Sequence, residues 1–401
     1  MKALRLMAIL CTAALILSAC HTHTKPLPND ASSDIVVVDT VKYSNVYGTY
    51  MQYRYLTDAE KKAYGIVFTA VYDHLDTDVV VRDDRGNNLP GIRISLSDSR
   101  LTVPQISRVF EAFLQDNPSF FFIDRTYSLE GREINGKQIY DILVLHYTMD
   151  APRRSEAGKQ LDTALETMLK GCPDTDDEFL IELYLHDQLL ASCAYDQPAA
   201  DNPDGYPNAY SAYGALVEGK AVCEGYAKAM QLLLAQCSVS ATTVRGYSAD
   251  NHTGHMWNLV QINGQYYYLD PTWNDDEKQH HYSYFNISSA WLKRSHILDS
   301  NTLFTITCTA ETDNFFSRNK SFIDTYDRDA IVDAIASQIQ AGSTSVHLRF
   351  SDGKYENGLL FLKNAKLTKK MVNARLTNDM QMWDYELSTP AHQNTITLRK
   401  I

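Results

Sequence analysis

Cysteine is scarce in this 401-residue chain. It has seven, and no two of them stand in a Cys-x-x-Cys pair. That excludes a zinc framework or a thioredoxin-type redox site of the usual spacing. Basic residues are not in excess: 37 Lys and Arg stand against 49 Asp and Glu, for a net charge of −12. Nucleic acid is thereby excluded as the main partner, because phosphate binding needs a basic surface. The apolar run Leu6–Leu17 is too short to span a bilayer stably. There is no repeat at solenoid periods and no EF-hand loop. The acidic stretches 202–205 and 274–277 read as solvated loops, so no metal and no other cofactor is expected.

What is present begins at the N-terminus. Lys2 and Arg5 precede the apolar run, which ends in Leu17-Ser18-Ala19-Cys20. This resembles a bacterial lipobox, in which the cysteine is lipidated and becomes the new N-terminus. Residues 1–20 are therefore expected to be a lipoprotein signal and 21–44 a polar, proline-containing tether. The expected location is extracytoplasmic, held to the cell membrane through the lipid on Cys20. Once Cys11 leaves and Cys20 is lipidated, five cysteines remain: Cys172, Cys193, Cys223, Cys237 and Cys308. An oxidising compartment permits disulfides, but an odd count leaves at least one thiol unpaired within the chain.

The hydrophobic fraction, 44%, is that of a folded protein, and the length calls for two or three units. Thr57 and Glu60 stand at capping-box spacing before a helical pattern over 58–75. A strand near 92–96, a helix over 103–116, a strand at Ser119–Asp124, a strand at 137–148 and a long helix over 153–170 complete an α+β unit at 45–170. Helices are expected over 177–193 and 222–236, then strands near 241–247, 255–262 and 265–270, in a unit at 171–299. A helix over 327–340 and strands near 345–350, 382–388 and 394–400 form a last α+β unit at 300–401. The fold class expected is α+β throughout.

The chemistry concentrates in the middle unit. Cys223 opens a helix, preceded by glycine and polar residues in Glu218-Gly219-Lys220. A helix N-terminus carries unpaired N–H groups and partial positive charge, which favours a thiolate, and a nearby imidazolium favours it further. Downstream, Asn263-Gly264 between two alternating apolar runs signals a two-residue hairpin turn of type I′. Counting back from that turn pairs Trp257 with Asp270 and puts His255 on the same face, a diagonal neighbour of Asp270. A carboxylate beside an imidazole fixes its tautomer. Cys223 is thus expected to be a nucleophile, His255 its base and Asp270 the orienting group. Trp257, Trp273 and Tyr226 are expected to contact substrate. His252 is a rival base in a loop, His186 reads as a buried structural residue bonded to backbone, and His280-His281 lacks a metal-site spacing.

These residues carry a resemblance. Gly219–Ala227 is similar to the nucleophile segment of the transglutaminase-like superfamily, a branch of the papain-like cysteine enzymes. His255–Asn258 resembles its histidine strand and Tyr268–Trp273 its aspartate strand, with His186-Asp187 and Tyr195-Asp196 similar to an upstream helix. The resemblance covers about 175–295. It implies a papain-like core, a cysteine-bearing helix on an antiparallel sheet, and a Cys-His-Asp triad that attacks an amide through a thioester. Water as acceptor would give hydrolysis and an amine transamidation. The substrate implied is a protein or peptidoglycan peptide at the cell envelope. The papain-type glutamine before the cysteine is absent, since Val217 and Glu218 occupy that stretch, and Tyr210 or Tyr213 stands as the alternative oxyanion donor. The competing expectation is a non-catalytic envelope-binding or scaffold module on the same fold.

Overall fold

Capping residues set where the first helices begin. In the computed structural model, which describes residues 23–26, 35–42, 50–82, 86–134, 137–275, 280–377, 380–390 and 392–401, Thr57 and Glu60 do form a capping box. The Thr57 N–H donates to Glu60 Oε2 at 2.8 Å and opens the helix Asp58–Asp73. A second box, Thr102 with Gln105, opens Val103–Asp116. Cys20, the expected lipid site, lies outside the described residues. Among those residues, no helix is long and apolar enough to cross a membrane.

The chain divides into two compact units. One runs to Asn258 and takes back Leu298–Thr305; the other holds Leu259–Ile297 and Ile306–Ile401. The strand Gly254–Ile262 runs through the first division. No compositional shift or Pro/Gly-rich linker marks these crossings, so length and pattern could not find them.

In the first unit a sheet runs in the order His23–Pro26, Ile123–Ile134, Lys137–Tyr147, Asn88–Ser95 and Ile35–Val36, with Val79–Arg82 pairing Asn88–Ser95 off that path. Its centre is the antiparallel hairpin in which Leu129 faces Leu143. The segment read as a tether therefore supplies two short parallel strands, His23–Pro26 beside Ser128–Gly131 and Ile35–Val36 beside Arg93-Ile94. The strand expected at Ser119 starts later, at Ile123. Phe120 and Phe122 instead turn inward, Phe120 against Phe68 at 5.5 Å and Phe122 edge-on to Tyr147 at 5.1 Å. Packing these aromatic rings outweighs extending the strand by four residues.

Asp116 closes this core. It is fully buried, and its carboxylate accepts the Gln52 and Tyr53 backbone N–H groups at 3.0 and 2.9 Å. Burial pushes it up to about 7 against the lowering effect of those donors. A carboxyl raised in the folded state binds its proton more tightly there than in the unfolded chain. Its contribution to stability is therefore greatest below the ordinary carboxylate range and is lost as pH rises towards 7. Asp116→Asn is expected to flatten the fall of the unfolding midpoint between about pH 4 and pH 7. Thermal unfolding across that range checks it, and an unchanged slope would rule it out.

A long helix, Ala151–Leu169, follows, held by Arg154. Its buried guanidinium donates to the Leu75, Thr77 and Met149 carbonyls, pairs with Asp78, and lies over the rings of Phe122 and Tyr147 at 4.9 and 4.6 Å.

The second unit has its own core under a sheet ordered Phe322–Ile323, Ser345–Phe350, Thr395–Lys400, Tyr385–Ser388. Ile331, Ile335 and Ile339, spaced on one face of the helix Arg328–Gln340, pack with Val346 and Leu348. Two further helices, Tyr355–Lys363 and Ala365–Asn373, were not expected.

Candidate active site

The approach to Cys223 is built in three steps. Gly219 takes a left-handed φ of 68° and ends the preceding helical turn. Lys220-Ala221 then forms a short strand parallel to Ala194-Tyr195, with the Asp196 N–H donating to Ala221 O at 2.9 Å. Val222 is extended, at φ −91° and ψ 178°, and the helix Cys223–Gln236 starts at the cysteine itself. Cys223 thus occupies the first helical position, where backbone N–H groups have no partner within the helix.

That first turn is pressed against the chain at 209–211. A Cβ built on Gly225 would lie 2.5 Å from Ala209 O and 2.7 Å from Ala221 Cβ. Only a residue without a side chain lets the helix start here. Gly225→Ala is expected to cost about 1–3 kcal/mol, measurable as a lowered thermal midpoint, and an unshifted midpoint would count against this packing.

Electrostatics beside the cysteine are dominated by one network. Glu224 pairs with Lys228 at 2.6 Å and with Arg125 at 3.8 Å. Burial pushes the Glu224 carboxyl up, but Lys228 and Arg125 outweigh it and hold it below its ordinary value. Arg125 also lies 3.8 Å over the Tyr210 ring. Burial pushes Tyr210 up to about 12, and its hydroxyl donates to Ala199 O at 3.0 Å. The Tyr213 hydroxyl donates to Gln160 Oε1 at 2.6 Å. Each tyrosine weighed as an oxyanion donor therefore spends its one proton elsewhere.

The histidine strand, Gly254–Ile262, reaches the cysteine helix within the first unit. Met256 packs with Cys223 and Ala227, and Asn258 Nδ2 donates to Ala227 O at 2.8 Å. His255 is buried and stacks on Trp257 at 5.9 Å, so these two share the face that alternation requires.

In the second unit the strand turns at Asn263-Gly264, where both residues take positive φ, 49° and 78°, as a type I′ turn demands. Asp270 follows Gln265–Leu269 and caps the short helix Pro271–Asn274, one oxygen accepting the Trp273 N–H at 3.1 Å. Its other oxygen meets His296 Nε2 at 3.0 Å, both side chains fully buried. His296 Nδ1 lies 2.9 Å from Ser295 Oγ. With Nε2 protonated, the ring donates to the carboxylate and accepts from the hydroxyl. The half-buried Trp273 leans on His296 at 4.3 Å and meets Tyr284 edge-on at 5.2 Å. Sequence reasoning missed His296, which lies 26 residues from Asp270 in no motif.

Two expected substrate contacts are corrected. Tyr226 and Trp257 are fully buried, so neither ring offers a surface to a substrate. Tyr226 lies on the inward face of the cysteine helix, where its apolar area is worth more in the core. His252 is exposed in a turn at φ 56°. His186 is buried as expected, and its Nδ1 lies 3.0 Å from the Asp187 carboxylate. His280 sits 3.4 Å from Asp275.

A structure titled as a TGase is 14% identical over 53% of this chain and 58% of its own, with a TM-score of 0.28. A protein of Cytophaga hutchinsonii, proposed to be a cysteine protease, is 14% identical over 36% and 62%, with a TM-score of 0.24. The periplasmic domain of TgpA from Pseudomonas aeruginosa is 18% identical over 35% and 58%, with a TM-score of 0.21. The chain spans about three fifths of each of these structures. Among curated proteins none matches. Residues 173–271, a span that includes Cys223, His255 and Asp270, match the family model of the transglutaminase-like superfamily, and the chain carries a domain of that superfamily there.

Proposed function

We propose that the protein is an extracytoplasmic, lipid-anchored cysteine enzyme that cleaves or transfers peptide amides at the cell envelope. The reading is carried by one observation: Cys223 is the first residue of its helix, packed with Met256, the neighbour of His255. The superfamily match over 173–271 supports a thiol-based chemistry. The two-residue turn at Asn263-Gly264 supports the register that would bring His255 and Asp270 into diagonal contact.

In the reaction, the Cys223 sulfur attacks the amide carbonyl, and helix N–H groups stabilise the oxyanion. The C–N bond breaks as His255 gives its proton to the leaving amine, which leaves a thioester. A water, or an acceptor amine, then loses its proton to His255 and attacks the thioester, and the thiol is regenerated. Asp270 holds His255 in the tautomer this exchange needs. Trp273, half-buried beside Asp270, is the remaining candidate for substrate contact. Membership in the superfamily leaves the substrate open. The envelope location rests on the Cys20 lipobox, which makes a protein or peptidoglycan peptide the substrate class.

The test is the rate at which iodoacetamide labels Cys223 at pH 6.5, read by peptide mass spectrometry. The wild type is expected to label at least tenfold faster than His255→Ala. Equal rates would mean that the imidazole does not activate the thiol, and the fold would then serve as a binding module.

A further inference from the structure

We infer that Cys172 and Cys237 are the site of a disulfide that clamps the rear end of the nucleophile helix. Their sulfurs lie 3.8 Å apart. A disulfide bond is about 2.05 Å long, so closure needs roughly 1.8 Å of approach. Both residues sit where the chain can give that distance. Cys172 follows the left-handed Gly171, φ 118°, just after the end of Ala151–Leu169. Cys237 caps the C-terminus of Cys223–Gln236, followed by Ser238 at φ 60°.

Accessibility separates this pair from the other thiols. Cys172 and Cys237 are partly exposed, whereas Cys193, Cys223 and Cys308 are buried. The odd count of five in the described chain then resolves into one bridge and three thiols, with Cys223 kept reduced for its chemistry. The bridge would close the loop from 172 to 237, which contains Cys223 and the start of the segment matching the superfamily.

The oxidant is a disulfide, either glutathione disulfide or the dithiol–disulfide oxidoreductases of an oxidising compartment. Burial and the neighbouring Cys172 thiol push Cys237 up to about 12, and closure starts from the Cys172 side. Its thiolate attacks one sulfur of the oxidant, breaks that S–S bond and expels one thiol. The deprotonated Cys237 then displaces the second thiol from the mixed disulfide. Two electrons and two protons pass to the oxidant, which becomes two thiols.

Occurrence of the bridge in the cell rests on the extracytoplasmic reading, whereas the juxtaposition of the sulfurs does not. The experiment therefore has two arms. In the first, the purified full chain is treated with glutathione disulfide, alkylated, and mapped by peptide mass spectrometry. The expected result is loss of two thiols, a cystine peptide joining residues 172 and 237, and a thermal midpoint raised by about 5–10 °C. The rise should be reversed by dithiothreitol and absent from Cys172→Ser and from Cys237→Ser. Separate glutathione adducts on the two residues, or a bridge that includes Cys223, would overturn the assignment. In the second arm, the chain is expressed with its own leader in a bacterium and trapped by acid and alkylation. A bridge found there supports both readings. Reduced thiols there, with a bridge formed in the first arm, would leave the site standing and overturn the location.

Discussion

Cys223→Ala is expected to abolish turnover while leaving the fold intact. The change removes one sulfur from the first position of a helix whose hydrogen bonds do not involve that side chain. Ala227 and Met256, buried in one cluster with Cys223, lose the packing of its sulfur. The thermal midpoint should therefore stay within about 2 °C of wild type, because only a small buried group is lost. The loss of chemistry is of another order. Without a nucleophile no thioester forms, and kcat/KM on any peptide amide that the wild type cleaves or transfers should fall by at least about 10⁴-fold. Cys193→Ala and Cys308→Ala are the controls, since both thiols are buried outside this cluster. Retained turnover in Cys223→Ala, with the midpoint unchanged, would end the thiol-enzyme reading at once. The converse result, a collapsed midpoint, would make the cysteine structural.

Arg154→Met is expected to be among the most damaging single substitutions for stability. Arg154 is an uncommon residue in this chain, a fully engaged cation at 3% exposure. Methionine would fill part of the space between Phe122 and Tyr147 and replace some of the ring contacts. It cannot replace the donors. The Leu75, Thr77 and Met149 carbonyls would lose this donor, and the Asp78 carboxylate, which still accepts the Ala151 N–H at 2.7 Å, would lose its cation. Removing one half of a buried ion pair costs about 3–5 kcal/mol, because the other charge is left without compensation. The double substitution Arg154→Met with Asp78→Asn should recover part of that loss, since it removes the stranded charge. Chemical denaturation of the four variants in a double-mutant cycle measures the coupling. A loss below about 1 kcal/mol would mean that water replaces the guanidinium without penalty.

The two predictions draw on parts of the molecule that differ in how openly the sequence announces them. The nucleophile helix could be found because its signals are local: Gly219, a short extended stretch, then a run of good helix formers from Cys223. The Asn263-Gly264 turn was equally legible, because only those residues take positive φ at two successive positions without strain. The capping box of Thr57 and Glu60 fixed a helix start to within a residue. Where partners are distant, the sequence is silent. The His296 contact with Asp270 joins residues with no shared periodicity. Arg154 reads as one more charge on an exposed helix until the carbonyls it satisfies, 77 to 79 residues earlier, are in view. Tyr226 and Trp257 were misjudged for a related reason. Alternation tells which face a side chain takes, but not whether that face is open or covered. The helices Tyr355–Lys363 and Ala365–Asn373 escaped because each is only nine residues long and Asn364 interrupts the pattern between them.

The division of the chain bears on how it is made. The polypeptide passes from one unit to the other at Asn258, returns at Leu298 and leaves again after Thr305. During synthesis it emerges from its N-terminus, and a unit can close only when its last segment is out. The first unit must therefore wait for Thr305, roughly three quarters of the way along the 401 residues. Until then the cysteine helix has no finished surroundings. No single cut in the chain separates the two units from each other, because their segments alternate along the sequence.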